Sequence, residues 1–174
     1  FRTQPEKEAV PAPVSQPAPA APETAAPEPK AQEKKLETLE RKDGVYVGEV
    51  LNGKPHGSGT MTYSPDQKNK IKTYVGAWKN GLRHGQGKME WTSGTVYEGA
   101  WVDGKRNGQG KMTWPNGDVY EGEWTDSTRS GHGRMTWKSG NVYEGAWVDG
   151  KRNGQGKLTW ISGNVYEIGR ASCR

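Results

Sequence analysis

Apolar and polar residues alternate along this chain in short runs that return every 23 positions, with Tyr74, Tyr97, Tyr120, Tyr143 and Tyr166 at equivalent places. In each copy one run reads as Tyr97-Glu98-Gly99-Ala100-Trp101 and a second as Gly110-Lys111-Met112-Thr113-Trp114. Alternation of period two, rather than 3.6, predicts strands. Asn52-Gly53, Asn80-Gly81, Asp103-Gly104 and Asp149-Gly150 supply residues that tolerate positive φ after the first strand of a unit. Ser93-Gly94, Asn116-Gly117, Ser139-Gly140 and Ser162-Gly163 do the same after the second. Each link is therefore a hairpin, and short hairpins force antiparallel neighbours. The expected fold is all-β: an elongated antiparallel meander of about ten strands, lengthened by ~10 Å per unit from two strand spacings.

The copies are close. Ala100 to Lys111 recurs letter for letter as Ala146 to Lys157, whereas a looser copy beginning at Tyr46 has Val50 and Tyr63 where the others carry Trp. That copy also holds a polar insertion around Pro65 to Lys72, which marks it as a terminal, capping unit. Side-chain parity puts Tyr97, Gly99 and Trp101 on one face with Gly110, Met112 and Trp114 of the next strand. The other face is polar: Glu98, Glu121 and Glu144 from first strands, and Lys88, Lys111, Arg134 and Lys157 from second strands, suit cross-strand ion pairs. Gly99 and Gly110 leave room for rings to lie across the backbone. The aromatic face comprises Tyr74, Trp78, Trp91, Tyr97, Trp101, Trp114, Tyr120, Trp124, Trp137, Tyr143, Trp147 and Trp160. At roughly 150 to 250 Å² per buried ring this is more apolar area than a monomer leaves in water. Either the rings cover one another as the sheet curls, or a partner or second copy completes the cover.

The order Tyr-Glu-Gly-x-Trp, a turn, then Gly-x-Gly and an aromatic strand ending resembles the MORN repeat, and five consecutive units from Tyr46 to Val165 carry it. The departures are Ser127 in place of a turn glycine and Val50 in place of a first-strand Trp. The resemblance implies an elongated, twisted antiparallel sheet and a role as scaffold, dimerisation module or membrane-proximal adaptor. MORN arrays are also joined to catalytic domains in lipid kinases and a lysine methyltransferase.

Outside the repeats the composition changes. Residues 1–43 are rich in Pro, Ala and Glu and short of large apolar side chains, so they are expected to form a disordered linker. Between Pro5 and Pro29 an extended polyproline-like chain at ~3.1 Å per residue would hold the array roughly 70 Å from what precedes it. From Ala31 to Arg41 a charged stretch with Leu36 and Leu39 is expected to be transiently helical. The array is assigned to 44–165. Residues 166–174 are expected to be a truncated sixth unit, because Ile168-Gly169-Arg170-Ala171-Ser172-Cys173-Arg174 fits no repeat and resembles the translation of a sequencing-library adapter. The chain opens on Phe1, so an upstream anchor or targeting segment is expected to be missing. If the heptapeptide is set aside, Cys173 goes with it and neither disulfides nor thiolate metal sites enter the argument.

Charge sharpens the picture. From Tyr46 to Val165 there are 16 Lys and Arg against 11 Asp and Glu, a surplus of 16 − 11 = 5 that matches the whole chain's +5. Arg83, Lys105, Arg106, Arg129, Lys151 and Arg152 lie in first hairpins, which predicts a basic row along one edge and a candidate site for anions or lipid head groups. Gly108-Gln109-Gly110-Lys111 lacks the spacing and the Ser or Thr of a phosphate loop. His56, His84 and His132 sit in turns of different units without metal-ligand spacing, and Ser93 and Ser139 are turn residues with no base beside them. No catalytic residue, metal or cofactor is assigned. The favoured function is a non-enzymatic scaffold for a protein partner or a second copy; the alternative is a peripheral membrane module binding anionic phospholipid. Nucleic acid ranks last, because aromatic and basic groups are expected on opposite faces.

Overall fold

The computed structural model describes residues 36–66 and 70–169. Expectations for the linker up to residue 35, for the tip of the insertion and for Arg170 to Arg174, including Cys173, lie outside those residues. One twelve-stranded antiparallel sheet runs in strict chain order. Its strands are β1 (Leu36–Arg41), β2 (Gly44–Leu51), β3 (Lys54–Tyr63), β4 (Ile71–Lys79), β5 (Leu82–Trp91), β6 (Val96–Val102), β7 (Lys105–Thr113), β8 (Val119–Thr125), β9 (Thr128–Thr136), β10 (Val142–Val148), β11 (Lys151–Thr159) and β12 (Val165–Ile168).

The ten expected strands are β2 to β11, and two more flank them. The stretch around Leu36 and Leu39 is β1, not a nascent helix, and it pairs along its whole length with β2, placing Leu39 opposite Tyr46. An edge row of backbone donors and acceptors on β2 outweighs the weak helical preference of a charged sequence. At the other end β12 pairs Tyr166 with Leu158 and Ile168 with Gly156, so β12 is the last strand of the described sheet.

The first hairpins turn as the sequence indicates. Asn52, Asn80, Asp103 and Asp149 have φ of 51°, 53°, 46° and 49°, each followed by a left-handed glycine. Ser127, which stands where the other turns have glycine, is forced to φ 71°. Register is set by a bulge repeated in most units: Gly99 faces Gly110, yet Trp101 faces Arg106, so one residue of β6 opposes three of β7. The second strand of each unit consequently starts at Lys105 or its equivalent, well before the expected start at Gly110.

Candidate functional site: the aromatic and arginine face

The buried layer is a ladder of alternating rings. Tyr46, Trp78, Tyr74, Trp101, Tyr97, Trp124, Tyr120, Trp147 and Tyr143 follow one another edge to face, with centroids 5.1–5.5 Å apart and planes crossed at 81–88°. Each tyrosine is fully buried, flanked in its row by Met61, Met89, Met112, Met135 and Leu158. Its ring lies over the glycine opposite: a Cβ on Gly110 would meet Tyr97 Cε2 and Cζ at 2.6 Å. Its hydroxyl donates to a carbonyl three residues on, from Tyr97 to Ala100 and from Tyr120 to Glu123 at 3.0 Å. Each buried indole also donates, Trp101 Nε1 to Gly87 O at 3.3 Å, Trp124 Nε1 to Gly110 O at 3.2 Å and Trp147 Nε1 to Gly133 O at 3.1 Å. Units are thus tied to each other through side chains as well as through strand pairing. Burial pushes the phenol pKa values up, to about 12 at Tyr46, Tyr97 and Tyr120.

Arginines lie on top of this ladder. Arg83 sits over Trp101 at 4.8 Å, Arg106 over Trp124 at 4.6 Å and Arg129 over Trp147 at 4.5 Å, distances at which a guanidinium is held by the ring quadrupole. Each also clasps the following hairpin at two points. Arg106 Nη2 donates to Ser127 O at 2.8 Å, while Arg106 O accepts from Ser127 N at 2.9 Å; Arg83 and Gly104, and Arg129 and Gly150, do the same. Desolvation lowers the pKa of Arg106 and Arg129, which stay charged at neutral pH. Arg152 sits 5.5 Å from Tyr143 and 5.7 Å from Trp137.

The expected basic edge therefore divides. Arg83, Arg106, Arg129 and Arg152 belong to the aromatic face, and only Lys105 and Lys151 point to the hairpin edge, with Lys105 Nζ 3.2 Å from Asp126. The premise that aromatic and basic groups take opposite faces is corrected with it: Arg106 is six residues before Met112, and even spacing along β7 keeps both on one face. That parity was legible once the strand was known to begin at Lys105.

The second-strand aromatics form a separate row. Trp91, Trp114 and Trp137 are half-buried and packed against the core from outside, and Trp160 is 43% exposed. Arg106 lies 5.9 Å from the Trp91 ring, joining the two rows. A groove with a cavity of about 400 Å³ opens between Trp137 and Trp160, floored by Leu158 and bordered by Arg152, Asp118 and Asn141. A neighbouring one of about 430 Å³ is bordered by Arg129, Trp147 and the same Trp137 and Arg152. The polar face carries the expected ion pairs, Lys88–Glu98 at 2.6 Å, Lys111–Glu121 at 3.0 Å and Arg134–Glu144 at 3.0 Å, all well exposed. His56 Nδ1 accepts from Asn80 N at 3.5 Å, and His84 Nδ1 lies 3.6 Å from Asp103. Among the described residues no group of three or more His, Cys, Asp and Glu is arranged to hold a metal ion.

A tandem array of hairpins, each contributing one Tyr and one Trp to a shared ladder and bonded chiefly to its neighbours, defines a class: the solenoid-like repeat proteins. The family within it is specific. The MORN repeat model matches residues 46–66, 74–96, 97–119, 120–142 and 143–165, and the chain belongs to that family. MORN repeats occur in modules for protein binding and for membrane association. No similar curated protein was found by sequence comparison.

Proposed function

We propose that this chain is a non-enzymatic scaffold that holds a protein partner, or a second copy of itself, on the row of outer tryptophans. The observation that carries this reading is the separation of two aromatic rows. The first-strand Tyr and Trp are sealed by packing and hydrogen bonds. Trp91, Trp114, Trp137 and Trp160 are left partly in water, one per unit, and grooves bordered by arginine open beside Trp137 and Trp160. Tryptophan and arginine in desolvatable pockets are the residues that anchor protein interfaces. Replacing Trp114 and Trp137 together by serine tests it: association with itself or with a partner is lost while the β-sheet circular dichroism stays. Unchanged association would remove the outer row from the function.

The lipid alternative has its own observation, the exposed Lys105 and Lys151 at the hairpin edge, but fewer charges than the sequence promised. Arg83, Arg106 and Arg129 are occupied by rings and carbonyls. Flotation with phosphatidylserine vesicles at low salt, comparing wild type with Lys105→Glu/Lys151→Glu, separates the readings. Those two sites leave the ladder intact, whereas reversing Arg106 or Arg129 would also disturb the fold.

A further inference from the structure

The sheet has an open side at β1. Among the described residues no strand lies beyond it, so every second residue of Leu36–Arg41 turns its N–H and C=O away from β2, toward a place where a further strand fits. Natural sheets blunt such edges with proline, with bulges or with charges that a docking strand cannot answer. β1 contains no proline, and its six residues pair with β2 in unbroken register, whereas the pairings of β2 with β3 and of β6 with β7 are each interrupted by a bulge. The polar face also loses its charges as it nears this edge. The row of ion pairs that runs from Glu144 to Lys88 continues across the register as Val75, Thr60, Val47 and Thr38, and Val75 and Val47 are 50% and 51% exposed.

What β1 does carry is Glu37, Glu40 and Arg41, and their order selects the strand that fits. Two identical antiparallel strands related by a two-fold axis must set some residue opposite its own copy, because hydrogen-bonded and non-hydrogen-bonded pairs alternate and symmetry makes related pairs the same kind. An axis at Glu37 or Glu40 puts a carboxylate against itself, and one at Thr38 puts both leucines against glutamates. An axis at Leu39 puts leucine on leucine and, twice over, Glu37 on the partner's Arg41. These three residues lie on the ring face, since Leu39 stands opposite Tyr46 and packs against the ladder. Arg41 and Asp43 are both exposed, so the 3.3 Å contact between them is readily shared with a further carboxylate. We propose that β1 pairs with β1 of a second copy about a two-fold axis at Leu39, joining two arrays into one continuous sheet. The inference stands on the sheet edge and not on the outer tryptophans, so it goes beyond the scaffold reading.

Sedimentation velocity on the full chain over a range of concentrations tests it, with Glu37→Arg, Arg41→Glu and the double variant alongside. The expected result is a monomer–dimer equilibrium that each single variant weakens about tenfold or more, because symmetry sets two pairs of like charges together at once. The double variant restores it, and an equimolar mixture of the two single variants forms a mixed dimer although neither dimerises well alone. Circular dichroism checks that these exposed substitutions leave the sheet folded. Hydrogen exchange on the unaltered chain is a second, independent measurement: amides of β1 gain protection as concentration rises. A chain that stays monomeric, or a dimer indifferent to both charge reversals, overturns the proposal. Full protection of every β1 amide in the monomer also overturns it, since the open side is then covered from within the chain. A dimer lost in Trp114→Ser/Trp137→Ser but untouched by Glu37→Arg overturns the strand pairing and keeps the scaffold reading. The converse pattern upholds the strand pairing and takes the second copy away from the outer row.

Discussion

Trp124→Ala removes one rung from the middle of the ring ladder, and the structure says what goes with it. The indole is 4% exposed and meets Tyr97 and Tyr120 edge to face at 5.4 and 5.3 Å. Its Nε1 donates to Gly110 O at 3.2 Å, and Arg106 covers it at 4.6 Å. Burial and cavity terms for a tryptophan of this kind cost about 3 to 5 kcal/mol. Two aromatic pairs and one cation–π contact, worth roughly 0.5 to 1.5 kcal/mol each, push the value toward the top of that range. Trp114 is of the same residue type, but it lies in the outer row and is only partly buried against the core. At ~25 cal/mol per Å² of apolar surface, losing the covered two thirds or so of a ring of roughly 150 to 250 Å² costs about 3 kcal/mol. Urea melts of the two variants, followed by far-ultraviolet circular dichroism, should therefore separate them by about 1 to 2 kcal/mol, with Trp124→Ala the weaker. Trp124→Ala should also lower the urea m-value, because a broken rung in a nearest-neighbour array lets one end melt before the other. Equal costs at Trp114 and Trp124 would refute the division into a sealed and an open row, and with it the reason for placing function on the outer tryptophans.

Three further outcomes follow from the same geometry. Gly110→Ala should cost at least 2 kcal/mol in the same melts, since its methyl would collide with the Tyr97 ring, while Gly53→Ala, which meets nothing within 4 Å, should cost only the ~1 kcal/mol of a left-handed alanine. Alkaline titration at 295 nm should show Tyr46, Tyr97 and Tyr120 ionising together with loss of the sheet: their folded pKa values are raised from 10.0 to about 12, so stability is full below pH 10 and drains away as pH climbs through that window. Ionisation near pH 10 with the circular dichroism unchanged would contradict their burial. Arg129→Lys should recover little of what Arg129→Ala loses in melting experiments, because a single ammonium cannot both lie flat on Trp147 and donate to Gly150 O at 2.8 Å; full rescue would mean that charge alone matters there.

The repeat, its strands and its hairpins were written in local sequence, because period-two alternation and Asn-Gly or Asp-Gly turns act over a few residues and recur unchanged in every copy. The polar ion-pair face was legible for the same reason, since pairing of equivalent residues follows once successive units stack. Three features came only with the assembled sheet. Leu36 to Arg41 became a strand because β2 offered an open row of backbone groups, a long-range partner that no local propensity reveals. The bulge between Gly99 and Trp101 set the register and lengthened β7 back to Lys105, which carried Arg83, Arg106 and Arg129 from an imagined hairpin edge onto the rings. The split of one aromatic stripe into a sealed and an open row was likewise invisible along the chain. It depends on each Trp124-type indole leaning across to the Tyr of the preceding unit and on a guanidinium closing over it. Such contacts join residues a whole repeat apart, and only tertiary packing decides them.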